Sequence, residues 1–246
     1  MMYKLIIFSI LLLISASCDP TKKEIENTSD KPAETFNYSS FNLAAGDIVF
    51  QDSDCGPFCE SIEKVTFGIE GSKFSHVGLV IPKEGKEKLV VLEAITMGVV
   101  ETPLDSFFMR SSDSDNKSKV VVGRMKKEHQ HLIPQAIEFA KTRLGAAYDD
   151  VFDISNDKYY CSELIYDSFK SANNNQPIFQ LQNMTYKDPE TNAIFPIWEN
   201  YFQKLKVPIP EGEPGLNPGG MSLSSYIDIV HFYGKPEGYQ GKGHLN

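Results

Sequence analysis

Apolar residues along this chain fall into two kinds of run. Short clusters rich in β-branched residues come first: Asp47-Ile48-Val49-Phe50 after Gly46, His76 to Ile81, Lys88 to Ala94, and Gly98-Val99-Val100-Glu101. Runs of this length and composition, bounded by turn residues, predict strands. The polar stretch Pro82 to Glu87 between the second and third predicts a hairpin. Further strands are expected at Val120-Val121-Val122 and over Tyr226 to Tyr233. The second kind of run has helical spacing. Phe58, Ile62, Val65 and Ile69 follow Gly56-Pro57 and stop at Gly68 and Gly71. Leu132, Ile133, Ala136, Ile137, Ala140 and Leu144 trace a helix over 128–144, ended by Gly145. Leu164, Ile165, Phe169 and Ala172 lie at offsets 3, 4, 8 and 11 from Cys161. Thr102-Pro103-Leu104-Asp105 reads as the capped start of a short helix. Past Asn173 the periodicity weakens to a helical stretch near Pro196 to Lys206 and a Pro/Gly-rich loop from Pro208 to Gly220. Strands come early and helices are interspersed without a regular βαβ series, so the expected class is α+β with an antiparallel sheet.

The N-terminus reads differently. Lys4 precedes the apolar run Leu5 to Ile14, then Ser15-Ala16-Ser17 and Cys18. This run is short for a bilayer span and fits a secretory signal over residues 1–17. Small residues followed directly by cysteine resemble the lipobox of bacterial lipoproteins, which implies cleavage before Cys18 and lipidation of its thiol. The alternative is a plain signal peptide with an incidental cysteine. Residues 18–41 are polar and charged and predict a flexible tether, leaving 42–246 as one folded domain. That length, with 41% hydrophobic and 23% charged residues, suffices for one good core. The net charge of −9 argues weakly against nucleic acid. Export would let Cys55 and Cys59 pair. A zinc site and two unpaired thiols are the alternatives, and one CxxxC is a weak metal signal.

Cys161 is the most informative residue. It stands at the first turn of a helix, where free backbone N–H groups and the helix dipole favour thiolate. In the hairpin, a turn at 82–87 pairs Ile81 with Lys88, Leu79 with Val90 and His76 with Glu93. Directly opposed side chains share a face and interact, so imidazole and carboxylate are expected within hydrogen-bonding distance, the carboxylate fixing the tautomer. Taken singly, each of the three residues is more often structural; their joint geometry is what points to chemistry. Asp47, Asp52 and Asp54 read as turn or cap residues, and His129, His131, His231 and His244 as surface or structural.

Ser75-His76-Val77-Gly78-Leu79-Val80, then Leu92-Glu93-Ala94, then Tyr160-Cys161-Ser162-Glu163-Leu164 resemble the YiiX/YebB-like group of circularly permuted papain-like hydrolases of the NlpC-type superfamily. Gly46 to Phe50 and Thr102-Pro103-Leu104 also fit, and the matching motifs span about Gly46 to Ala172. Permutation places the histidine strand before the cysteine helix, the order seen here. The resemblance implies Cys161 as nucleophile, His76 as general base and Glu93 as the residue orienting it. It also implies an antiparallel sheet or small barrel packed against the cysteine helix. Tyr160 is placed to line the pocket or help bind an oxyanion; the Cys161 N–H is the better-motivated oxyanion donor. The expected activity is hydrolysis of an amide or ester in the cell envelope, on peptidoglycan stem peptide or acyl lipid, with no metal or cofactor. The competing readings are a non-catalytic binding protein on the same scaffold and a metal-binding envelope protein using Cys55, Cys59 and His76.

Overall fold

The computed structural model describes residues 41–86 and 88–241. The expected signal segment 1–17, Cys18, the tether up to residue 40 and His244 lie outside the described residues.

Six strands form one antiparallel sheet: β1 Ile48–Gln51, β2 His76–Pro82, β3 Leu89–Ile95, β4 Gly98–Pro103, β5 Val120–Met125 and the late strand Ile227–Phe232. With β6 (Gln182–Asn183) and β7 (Pro214–Gly215) forming a separate small ladder, the late strand is β8. The order across the large sheet is β4-β3-β2-β1-β5-β8. Alternation along β2 sends Val77, Leu79 and Ile81 into one core with Phe50, Leu92, Leu164, Ile165 and Phe169. Val80 faces the other way, into a second core with Val49, Val91, Phe107 and Phe108. Both faces are therefore covered, which is why these strands read as nearly continuous apolar runs.

The β2–β3 register differs from the expected one. Leu79 pairs with Leu92 and Ile81 with Val90, a slip of two residues, because the turn is shorter than 82–87. A two-residue slip keeps every side chain on its face, so His76 and Glu93 still share one. They are diagonal neighbours rather than opposed. Continued along the strand, this register sets Gly78 opposite Glu93. A Cβ at residue 78 would stand 3.4 Å from the Phe107 ring and 3.5 Å from the Glu93 Cβ, and would collide with Val91.

The helix α1 spans Pro57–Val65 and stops earlier than expected; Ile69 falls in a separate 3₁₀ turn, Ile69–Gly71. Thr102 caps nothing. It lies in β4, and α2 (Leu104–Phe108) begins after Pro103. The single helix expected over 128–144 is a 3₁₀ segment, Lys127–Leu132, followed by α3, Ile133–Thr142. Pro134 explains the break, since a residue without an N–H is accepted only in a helix's first turn. The cysteine helix α4 runs Cys161–Ala172, with Tyr160 extended before it. Leu164, Ile165 and Phe169 are fully buried; each contributes about 1.5–3 kcal/mol by leaving water. The later helices are α5 (Pro196–Leu205) and α6 (Pro218–Ser222). β7 falls inside the Pro208 to Gly220 stretch expected to be loop, and α6 begins inside it and ends just beyond it. Trp198 and Phe202 of α5 join Tyr186, Phe58, Ile62 and Phe152 in a satellite aromatic cluster.

Candidate active site

His76 is the first residue of β2, where the sheet ends. Its Nε2 is 2.5 Å from Glu93 Oε2. Glu93 is fully buried on β3, which would ordinarily force a carboxyl to stay protonated. Its surroundings prevent that. Arg110, just beyond α2, donates from Nη1 to Oε2 at 2.7 Å and from Nη2 to Oε1 at 2.5 Å. The Thr102 hydroxyl donates to Oε1. Burial pushes Glu93 up, but hydrogen bonding and charge from His76, and then Arg110, overcome it and hold the carboxylate down at about 2.

Cys161 Sγ meets the same imidazole from the α4 side. With Nε2 turned to Glu93, Nδ1 is the nitrogen left for sulfur. Burial alone would lower the His76 pKa; hydrogen bonds to Cys161 and Glu93 outweigh it and raise it to about 9. Burial alone would raise the thiol; His76, the Ser162 hydroxyl at 3.8 Å and the Val77 N–H bring it below the ordinary range. Both shifts favour a thiolate–imidazolium pair, with Glu93 stabilising the imidazolium from behind.

The cysteine's position is set by the start of its helix. Glu163 Oε2 accepts the Tyr160 N–H at 3.2 Å, while Glu163 Oε1 has no hydrogen-bond partner. Burial pushes this carboxyl up to about 9, so it is neutral at pH 7. The Tyr160 hydroxyl accepts the Leu216 N–H at 3.0 Å, fixing the ring as a wall beside the thiol.

Cys161 and His76 open onto a cavity of about 590 Å³. Its walls come from widely separated parts of the chain, among them Phe58, Ile62, Phe152, Met184 and Trp198. Phe152 holds φ at 57°, an uncommon conformation for a bulky residue, costing on the order of 1–3 kcal/mol. The buried Asp149 supports it by accepting the N–H groups of Val151 and Asp153 at 3.1 and 2.6 Å. The strained backbone delivers the Phe152 ring edge-on to Tyr160 and Trp198.

The remaining expected residues lie elsewhere or do other things. Cys55 and Cys59 form a disulfide, with Cα atoms 5.4 Å apart, on the cavity rim, and Cys161 is free. Asp47 accepts the Ala44 N–H and pairs with Arg124; Asp52 and Asp54 both pair with Lys119. His129 packs on Tyr226, His131 Nδ1 lies 2.9 Å from the Glu128 carbonyl and His231 stacks on Phe41; none lines the cavity. Sequence reasoning missed Arg110 and Thr102. Thr102 had a signal: the β3–β4 register sets Val100 opposite Glu93 and Thr102 two residues on, on the same face. Arg110 had none, since a turn after a one-and-a-half-turn helix brings it to Glu93.

Comparison with known proteins converges on one group. Residues 42–228 match the family described as "Permuted papain-like amidase enzyme, YaeF/YiiX, C92 family". The uncharacterized protein YiiX of Escherichia coli (strain K12) is 30% identical over 128 residues, covering 52% of this chain and 57% of that relative's length. The chain thus aligns with little more than half of this relative. The crystal structure of metalloprotein yiiX from Escherichia coli O157:H7 superposes with a TM-score of 0.62 at 24% identity, over 79% of this chain and 99% of that one; at that identity it shows the fold. With the sheet, the cysteine helix and the family match in agreement, this chain belongs to the permuted papain-like amidase family, YaeF/YiiX, C92.

Proposed function

We propose that this protein is a cysteine hydrolase that cuts an amide or ester bond in the bacterial cell envelope. The observation that carries this reading is the unbroken hydrogen-bonded line from Glu93 through His76 to Cys161, ending in a cavity. The Cys161 thiolate adds to the substrate carbonyl, forming a C–S bond. The oxyanion is met by the Cys161 N–H, unpartnered at the first turn of α4. As the C–N or C–O bond breaks, the proton on His76 passes to the leaving atom. Water then attacks the thioester, gives its proton to His76, and releases the acid with the thiolate restored. Glu93 keeps its negative charge throughout and orients the ring. Tyr160, pinned to the 216 backbone, serves as pocket wall. Anchoring through a lipidated Cys18 would hold the enzyme at a membrane surface; intact mass of membrane-extracted protein, with or without an acyl addition on Cys18, decides that part.

The yiiX neighbour is described as a metalloprotein, but the residues of this site do not fit a metal ion. Both Glu93 oxygens accept from Arg110, with Thr102 and His76 adding to them, and the Cys55 and Cys59 sulfurs are bonded to each other. Among the described residues no three His, Cys, Asp or Glu side chains converge as a metal-holding group.

The test uses pH. Iodoacetamide should label Cys161 rapidly at pH values below the usual thiol pKa, because the imidazolium stabilises the thiolate. Turnover should fall as pH rises through about 9, where His76 loses the proton owed to the leaving group. Labelling that follows an ordinary thiol titration, with hydrolysis undiminished in Cys161→Ala, would remove the reading.

A further inference from the structure

Helix α1 turns an acid inward. Its buried residues are Cys59, Ser61 and Glu63, none of them the large aliphatic side chain that ordinarily seats a helix on a sheet. Glu63 is 4% exposed. The Ser75 hydroxyl donates to its carboxyl, and Ser75 Oγ in turn accepts the Ser53 N–H at 2.9 Å. The other carboxyl oxygen, Oε1, is buried with no hydrogen-bond partner. Asp52 just past β1, Lys119 just before β5 and Glu237 in the C-terminal segment face the same carboxyl. The lone cation among them is already shared, since Lys119 Nζ holds Asp52 at 2.8 Å and Asp54 at 2.6 Å. Glu237 pairs with Lys73, and its N–H donates to Asp52 at 2.7 Å. Lys64 of α1 is occupied by Asp188 and Glu190. An ionised Glu63 would therefore join two other anions with one oxygen bare. Burial raises this carboxyl, Ser75 and Lys119 lower it, Asp52 and Glu237 add to the rise, and the result is about 7.

We propose that Glu63 is a proton-operated latch: protonated, it lets α1 sit on the sheet, and ionised, it loosens that seat and the Ser75 end of β2 with it. Two functional parts hang on the latch. Ser75 leads directly into His76, and Phe58 of α1 packs on Trp198 with ring centroids 4.6 Å apart. Opening returns the carboxyl to water and to its ordinary 4.5. The seat is accordingly firmest below about 4.5, and its stability is lost as pH rises through about 7. Between pH 6 and 8 the opening equilibrium of α1 should rise about tenfold.

Amide hydrogen exchange on the full chain, corrected for the intrinsic pH dependence of exchange, tests this. Protection of Phe58 to Val65 should fall about tenfold from pH 6 to 8. In Glu63→Gln, which keeps the shape with a permanently neutral group, it should stay level. A fall shared equally by α3 would be general loosening and would overturn the latch. Trp198, the chain's single tryptophan, gives a second readout through its contact with Phe58. Its emission should titrate with a midpoint near 7 in the native chain and not in Glu63→Gln. Should Glu63→Gln fail to fold, Ser75→Ala serves instead. Losing that hydroxyl removes a donor that favours the charged form, so the midpoint should move up by about one pH unit. The proposal is overturned by a native chain unchanged between pH 6 and 8, by the same change in Glu63→Gln, or by an unmoved midpoint in Ser75→Ala. No substrate enters either measurement, so the outcome is independent of the hydrolase reading.

Discussion

Two buried glutamates flank the nucleophile and have opposite chemistry. Glu93 is 0% exposed and Glu163 is 1% exposed, so burial cannot distinguish them. Glu93 accepts from His76, Thr102 and twice from Arg110, and is held ionised at about 2. Glu163 accepts one backbone N–H through Oε2, and its other oxygen has no partner; it is pushed up to about 9. Desolvation pushes both upward, and the donors around each decide whether it is overcome. In the proposed mechanism the charged acid stands behind the base and orients it. The neutral one secures the first turn of α4 and so the place of the sulfur.

The largest effect should come from separating the acid that serves the reaction from the acid that serves the helix. Cys161→Ala should lower kcat by roughly 10⁴–10⁶-fold, and Glu93→Gln by roughly 10²–10⁴-fold, while adding Glu93→Gln to Cys161→Ala should change almost nothing further. Steady-state kinetics of the two single variants and the double variant check this. Independent, additive losses would detach Glu93 from the reacting unit.

Arg110→Gln tests what keeps Glu93 ionised. Removing one partner of a buried pair can cost about 3–5 kcal/mol. The Arg110 side chain is 31% exposed, so solvent screening should reduce the loss to about 1–3 kcal/mol in denaturant unfolding. With a cation gone from beside the imidazolium, the alkaline limb of turnover should move to higher pH. An unchanged limb would mean that Arg110 is merely structural.

The smallest effect falls on Glu163. Its folded pKa of about 9 lies above the ordinary 4.5, so its contribution to stability is complete below about 4.5 and is lost as pH rises through about 9. Glu163→Gln keeps the shape without the titration. The variant should retain activity within about threefold and hold its Tm between pH 6 and 9 better than the native chain. Glu93, depressed to about 2, has the reverse sign: its contribution is present above about 4.5 and is lost as pH falls toward 2. Thermal melts across both ranges should therefore change in opposite directions for the two Gln variants.

What the sequence made legible was what short-range periodicity encodes. Cys161 at the first turn of α4 follows from the Leu164, Ile165, Phe169 spacing, and His76 and Glu93 share a face because alternation survives a two-residue slip in register. The support for Glu93 was not legible in the same way, since Arg110 arrives through a turn that no pattern specifies. The cavity was hidden for a related reason. Phe58, Phe152, Met184 and Trp198 meet only in three dimensions, two of them in the stretch after Asn173 where periodicity fades. Pro134 shows the converse: one residue's missing N–H divides what an apolar stripe reads as a single helix.

The Cys55–Cys59 bridge encloses a ring of few residues, with a sequence separation of 4. A crosslink this short removes little freedom from the unfolded chain, on the order of 2 kcal/mol by the loop-entropy argument, against about 4.7 for a hundred-residue loop. Its influence is therefore local. It braces the turn of chain that presents Phe58 to the cavity, much as a staple stiffens one corner of a page without binding the book. Reduction should therefore cost the domain only about 2 kcal/mol, and its structural effect should be confined to the chain that lines the cavity at Cys55, Phe58 and Cys59.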